Sequence, residues 1–128
     1  MPLRYDRDDA KQRIVVTSSG TVNTDEVLAT LDRQAAEGTW SYGVLYDART
    51  SGSKPTMDDM RRIVLRVGVL TTKYGPRGPV AFVTGRPDLF KMGRMYSTLA
   101  ELAALEVKVF ATVEQAEEWL THSEGAWP

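Results

Sequence analysis

Runs of β-branched residues alternate along the chain with stretches whose apolar residues recur at helical spacing. Clear strands are predicted over 13–18, 43–48, 79–84 and 107–111, and a weaker, short strand over 3–6. Strands that alternate with helices form parallel sheets covered by helices. We therefore expect an α/β fold with a four- to five-stranded, mostly parallel sheet, an antiparallel edge strand and about four helices.

The first two predicted helices have clear start and stop signals. Thr24 is a good N-cap for the first helix, and Gly38 stands where a helix C-terminus favours glycine. Thr56 begins the second helix with Asp59 three residues later, which resembles a capping box. Gly75 ends that helix.

The third and fourth predicted helices follow the last two strands. Pro87 suits the first turn of the third helix, which we expect to reach about Leu105 although Gly93 interrupts it. Thr112 caps the fourth helix, and residues 121–128 are interpreted as a tail. The whole chain, 1–128, is expected to be one domain with its core at about 5–120.

The composition excludes several kinds of chemistry. The chain has 128 residues, 42% of them apolar, which suits one globular domain. It has no cysteine and one histidine, His122, so a thiolate nucleophile, a disulfide and a multi-histidine zinc site are excluded. We expect no metal and no cofactor. No apolar run is long enough to span a bilayer and the first residues do not resemble a signal peptide, so we expect a cytoplasmic protein with no membrane span.

The net charge of −1 conceals an uneven distribution. Residues 1–48 carry a balance of −3, residues 49–94 of +7 and residues 95–128 of −5. On the second helix a basic ridge (Arg62, Arg66 and Lys73) falls within about 40° at the helical repeat. The ridge fits an acidic partner, an anionic membrane surface or nucleic acid, or alternatively a solvated helix face. No aromatic residues are interleaved with it, so we do not expect nucleic acid as a partner.

Polar residues follow two of the predicted parallel strands. Asp47 and Arg49 end one strand, and Thr84, Gly85 and Arg86 end the next. Ligands of open α/β sheets bind outside the carboxyl ends of the strands, where helix N-termini offer free N–H groups. The arginines would hold a carboxylate or phosphate there. The alternative is that Asp47 and an arginine form a structural ion pair, and no phosphate-loop motif is present.

The third helix carries more large soft side chains than one core-facing stripe uses. Phe90 and Met92 point in different directions, and Met95 and Tyr96 follow them. Methionine and aromatic side chains suit adaptable binding surfaces. These four residues are candidates for a homodimer interface or the rim of an apolar pocket; the alternative is a helix buried on two sides.

Several landmarks carry a resemblance to a known family. They are Asp-Ala-Arg at 47–49, Thr-Met-Asp-Asp at 56–59, Gly-Pro-Val-Ala-Phe-Val at 78–83, Val-Phe-Ala at 109–111 and Trp-Leu at 119–120. Together they make the chain resemble the SpoIIAA-like, or STAS-like, domain family, in particular its stand-alone branch of uncharacterised bacterial proteins. The resemblance implies a four- to five-stranded sheet built from βα units and no catalytic constellation.

Two related groups help to interpret this resemblance. In the anti-sigma factor antagonists a phosphorylatable serine begins the helix after the corresponding strand, in an Asp-Ser-Ser-Gly pattern. That pattern is missing from 51–59, where Thr56 already serves as a cap, so the resemblance does not predict phosphotransfer. The fold is also similar to CRAL-TRIO lipid-transfer domains, which implies that the third helix could open over an apolar pocket.

The sequence leads to two main hypotheses about function; a third, an enzyme, has no paired catalytic groups at recognisable spacing to support it. The first is a non-enzymatic binding or regulatory domain of unassigned pathway, which acts on a protein partner or as a homodimer. In the homodimer the acidic ends of one chain would pair with the basic middle of the other, so assembly would be sensitive to salt. The second is a carrier or sensor of a small anionic or lipid-like ligand at the C-terminal ends of the strands.

Overall fold

The computed structural model describes residues 3–52, 56–102 and 106–126. Five strands and four helices follow one another along the chain. They are β1 (Leu3–Asp8), β2 (Arg13–Gly20), α1 (Thr24–Ala36), β3 (Gly43–Ser51), α2 (Met57–Tyr74), β4 (Val80–Val83), α3 (Pro87–Leu102), β5 (Val107–Phe110) and α4 (Val113–Ala126).

The five strands form one sheet in the order β1-β2-β3-β4-β5. β1 pairs antiparallel with β2, and the other neighbours are parallel. The α/β fold class, the mostly parallel sheet and the antiparallel edge strand are confirmed. In the register of the parallel strands Ile14 lies beside Val44, Val44 beside Val80, and Val80 beside Val107. These four side chains therefore share one row on one face of the sheet.

The two faces of the sheet are covered differently. On one face Leu45, Ala81 and Val83 pack directly against Ala116 and Leu120 of α4 in one buried cluster. On the other face the row from Ile14 to Val107 forms a second buried cluster with Val16, which we call the sheet cluster. The helices on that side have a hydrophobic cluster of their own.

That third cluster joins α1 to α2. Its buried members come from α1, the following turn and α2, with Ile63 packed against them; we call it the helix cluster, and it contains Leu28, Leu31, Ala35, Trp40, Val67 and Leu70. Outside it, Arg62 binds Asp25 at 2.8 Å and Arg66 pairs with Asp32. α1 and α2 thus pack chiefly against each other, and their cluster is separate from the sheet cluster.

The element ends correct several predictions. The N-cap of α1 is Asn23, where the sequence predicted Thr24: the Asn23 side chain accepts from the Glu26 N–H at 2.9 Å, and Glu26 accepts from the Asn23 N–H at 3.3 Å. Asparagine caps at least as well as threonine, and here it also completes a capping box. β3 continues to Ser51, because Ser51 pairs with Gly20 beyond a register shift.

Other element ends confirm or correct the predicted boundaries. The capping box of Thr56 and Asp59 is confirmed, with N···O distances of 2.9 and 3.1 Å. Gly38 and Gly75 follow their helices with φ of 78° and 94°, in the left-handed region that glycine tolerates. α4 continues to Ala126 over much of the segment interpreted as a tail. The predicted end of the third helix near 105 lies outside the described residues.

Candidate functional site

A cavity of about 460 Å³ lies between the sheet cluster and the helices α1, α2 and α3. Its walls are mostly aliphatic and aromatic. The sheet supplies alternate residues of β2 to β5, and the helices supply their inward faces: Val16, Val44, Tyr46, Val80, Phe82 and Val107 from the strands, and Val27, Leu31, Met60, Ile63, Leu89 and Met92 from the helices.

The cavity follows from the way the helices pack. Leu31 and Ile63 belong to the helix cluster, while Val44 and Val80 belong to the sheet cluster, and all four line the cavity. Protein interiors are normally packed as tightly as organic crystals, so two hydrophobic layers that face each other would be expected to interdigitate. Here they remain separate and enclose space.

α3 closes one side of the cavity at a glycine. A Cβ on Gly93 would lie 2.9 Å from Cγ2 of Val109 and 3.4 Å from Cδ1 of Phe82. The absence of a side chain therefore lets α3 approach β4 and β5 closely. This approach is a physical reason for a glycine inside the helix, where the sequence showed only an interruption.

Arg77 lines the cavity near the amino ends of the strands. It lies in the connection before β4, and its guanidinium carbon is 5.0 Å from the centroid of the Trp40 ring. Although Arg77 keeps some exposed surface as a residue, its Nε atom is buried and has no hydrogen-bond partner. Burial lowers the pKa of Arg77, and the charge and hydrogen bond of Tyr96 act in the opposite direction. Burial likewise raises the pKa of Tyr96.

Gln34 is another polar side chain in the lining. It is buried, and its Nε2 donates to the Thr39 carbonyl oxygen at 3.0 Å, while Thr39 Oγ1 donates back to the Gln34 carbonyl oxygen at 3.0 Å. This reciprocal pair closes the turn after α1. The Nε2 of Gln34 therefore has a partner within the protein, in contrast to the Nε of Arg77.

The opposite end of the cavity lies at the carboxyl ends of the strands, where exposed polar residues line it. Asn23, Asp25 and Arg62 are exposed, and Asp59 is half-buried. Arg62 is paired with Asp25, and Asp59 accepts from the Thr56 N–H. This mouth therefore offers no unpaired cation among the residues described.

The predicted ligand residues at the strand ends are used internally. Arg49 binds Asp47 through two hydrogen bonds of 2.9 and 2.8 Å, and Arg86 binds Asp88 at 3.2 and 2.7 Å. Thr84 is buried and accepts from the Arg86 backbone N–H, while Gly85 is exposed.

Arg86 also donates to a backbone carbonyl of β3, that of Ser51, at 3.0 Å. The Asp47–Arg49 pair lowers the pKa of Asp47, chiefly through the side-chain hydrogen bond. An anion site at the strand ends stays a prediction, and the engagement of both arginines counts against it.

Each residue of the basic ridge contacts another side chain within the molecule. Arg62 and Arg66 pair with two acidic residues of α1, and Lys73 lies 5.3 Å from the centroid of the Tyr74 ring. Arg49, Arg61 and Arg86 also have carboxylate partners, so at least five of the ten basic residues in 49–94 are paired inside the molecule.

The four candidates on α3 separate into two pairs. Met92 and Tyr96 line the cavity. Phe90 and Met95 face a shallow outer depression instead, and Met95 is 38% exposed. The pocket-rim alternative and the interface alternative therefore involve different residues of the same helix.

Sequence reasoning missed Arg77. Arg77 lies in the connection Gly75-Pro76-Arg77-Gly78-Pro79, whose composition is typical of a solvated turn. The available signal was its position immediately before a buried strand, between two residues that favour tight turns. Only the packing of Trp40 and Tyr96 around it shows that its guanidinium points inward.

In the part of the chain that the structure describes, no group of three or more histidine, cysteine, aspartate or glutamate side chains could hold a metal ion. No helix among these residues is long and apolar enough to cross a bilayer.

Comparisons with known proteins identify the fold. No family model and no curated protein matches the sequence. A solved structure from Shewanella loihica PV-4, an uncharacterised DUF3478 family protein with a SpoIIAA-like fold, superposes with a TM-score of 0.59. The alignment covers 92% of this chain and 91% of that one at 14% identity. This chain has a SpoIIAA-like fold. At that identity the likeness extends to the fold alone.

Proposed function

We propose that this domain binds one small, largely apolar molecule in the cavity between the sheet cluster and the helix cluster, and acts as a carrier or sensor of it. The observation that supports the proposal is the cavity of about 460 Å³ with mostly apolar walls. Pockets for small ligands fall between about 300 and 1,000 Å³ and combine apolar walls with a few polar groups.

The packing of the molecule also supports this proposal. Voids larger than a water molecule are few in folded domains, and an unfilled apolar cavity lowers stability through lost contacts. The opposite face of the sheet contacts α4 directly, so this sequence is able to build a close-packed layer. The space between the sheet cluster and the helix cluster would then be filled by a ligand, which supplies the missing contacts.

The proposed role is binding without catalysis. The ligand would contact walls formed mainly by valine, leucine, isoleucine, methionine and aromatic side chains, which exclude water. This retains the carrier or sensor hypothesis from the sequence but moves the ligand from the strand ends into the interior.

Titration of the purified protein with decanol, a neutral apolar probe, tests this function. Isothermal titration calorimetry should give saturable binding of one decanol per chain, with a negative heat-capacity change from apolar burial. Native mass spectrometry of freshly purified protein should show the same stoichiometry. Failure of decanol and of other small apolar probes to bind would overturn the proposal.

Self-association is a second candidate function, favoured by the outward apolar side chains of α3. Phe90 and Met95 remain available for it after Met92 and Tyr96 turn inward. Sedimentation at tens of micromolar should show a homodimer that persists at high salt, because much of the basic charge has internal partners. A monomer under all conditions would exclude it.

A further inference from the structure

We propose that the ligand is an amphipathic carboxylic acid whose carboxylate binds Arg77 at the inner end of the cavity, with its apolar chain running toward the mouth. This inference rests on the proposed function and adds the ligand's headgroup and orientation. The class is a medium-chain acid, because about 460 Å³ holds roughly fifteen groups of water size.

The first argument is the unmatched charge of Arg77. Its Nε atom is buried without a hydrogen-bond partner, and among the described residues no carboxylate forms an ion pair with it. Arginine remains protonated in proteins, so it cannot relieve this burial by releasing its proton. A buried charge is expensive unless it is paired, and an anion entering the cavity would supply the pair.

The second argument is the way the guanidinium is held. The Trp40 ring packs at 5.0 Å from its central carbon, and the Trp40 Nε1 in turn donates to Thr71 Oγ1 at 3.4 Å. Tyr96 approaches from α3. Residues from the turn before β3 and from α3 thus fix the group before any ligand binds. A planar guanidinium presents a fork of N–H donors that matches the two oxygens of a carboxylate.

The third argument concerns the orientation of the ligand. At the mouth Asp25 is already paired with Arg62, and Asp59 adds a negative charge. An anionic headgroup would gain nothing there and would face a carboxylate. The inner end carries the unpaired cation, with the Tyr96 hydroxyl beside it. The polar end of the ligand therefore belongs at Arg77, and the alkyl chain fills the apolar walls.

The test on the wild-type protein compares ligands with the same alkyl chain. Decanoate, decanol, methyl decanoate and decyl phosphate are titrated separately below their aggregation limits at neutral pH. We expect decanoate to bind about ten- to a hundredfold more tightly than decanol or the ester, the range of a charged hydrogen bond. Equal affinities for decanoate and decanol would overturn this inference and leave the proposed function intact. Tighter binding of decyl phosphate would also overturn the carboxylate assignment.

Variants then locate the headgroup. Arg77→Met should reduce decanoate affinity about ten- to a hundredfold. It should leave decanol affinity within about twofold of the wild type, because the methionine side chain approximates the apolar stem of arginine. Tyr96→Phe should weaken decanoate several-fold. The matched control is Arg61→Met, which removes an exposed guanidinium from the outer surface of α2. Unchanged selectivity for decanoate in a folded Arg77→Met protein would place the anion elsewhere and contradict the inference.

Discussion

The Arg77 guanidinium packs over the Trp40 ring with 5.0 Å between its central carbon and the ring centroid. Trp40 is buried within the helix cluster, and Arg77 lines the cavity. One contact therefore joins the packing of α1 and α2 to the polar end of the ligand site. Cation–π contacts of this kind contribute about 0.5–2 kcal/mol, depending on how far water is excluded.

If Arg77 serves the ligand, it should contribute little to the stability of the empty protein. Arg77→Met removes a buried Nε donor without a partner, a gain that offsets the lost contacts with Trp40 and Tyr96. Urea denaturation without ligand should give a free energy of unfolding within about 1 kcal/mol of the wild type. A loss greater than about 3 kcal/mol would instead assign the guanidinium a structural role.

Gly78 should tolerate no side chain. A Cβ at this position would lie 2.3 Å from the Tyr42 carbonyl oxygen and 2.4 Å from that of Ser41, and backbone atoms cannot move aside. We expect Gly78→Ala to destabilise the protein by at least about 2 kcal/mol in urea denaturation. Gly68→Ala is the control: it lies in α2 with nothing within 4 Å of the added Cβ, so it should stabilise by up to about 1 kcal/mol. Equal effects would contradict the close approach at Gly78.

The Asp47–Arg49 pair should make stability depend on pH in the acid range. The hydrogen bond from Arg49 lowers the pKa of Asp47 in the folded state. Its stabilisation is therefore complete above the unfolded pKa of about 3.9 and is lost as the pH falls through the lower folded value. Asp47→Asn should cost about 1 kcal/mol or less at pH 7, and this deficit should shrink toward zero near pH 2.

Denaturation curves of both proteins from pH 7 to pH 2 measure this difference. The control is Asp6→Asn, because Asp6 and Arg4 form a pair whose side chains are 50% and 76% exposed. That substitution should give a smaller deficit at pH 7. A deficit of Asp47→Asn that stays constant with pH would show that the ion pair is not its source.

The periodic pattern predicted the sheet and its helices, because alternation of β-branched runs with helical stripes depends on local sequence. It also indicated that Phe90 and Met92 lie on different faces of α3, which the structure places on opposite sides. The cavity could not be predicted in this way, since it depends on the distance between two layers that each look like ordinary core. The buried position of the Arg77 guanidinium could not be predicted either, because the residues that surround it, Trp40 and Tyr96, are distant from it in sequence.

The sequence also did not show which acidic residues pair with the arginines of the basic ridge. Arg62 and Arg66 form a ridge on α2 by periodicity, but their partners Asp25 and Asp32 belong to α1. The pairing depends on how the two helices cross, which helical spacing alone does not specify. The Asp47–Arg49 pair, in contrast, is local, and the sequence offered it as one of two alternatives.

Substitution of two neighbouring residues of β3 tests the ligand cavity most directly. Val44 faces the cavity, whereas Leu45 faces the packed layer under α4. Val44→Phe should fill the cavity, cost less than about 1.5 kcal/mol of stability and abolish decanol binding. Leu45→Phe should overpack the other face at about 1–3 kcal/mol and leave decanol affinity unchanged in the folded protein. Undiminished decanol binding to Val44→Phe would contradict the account.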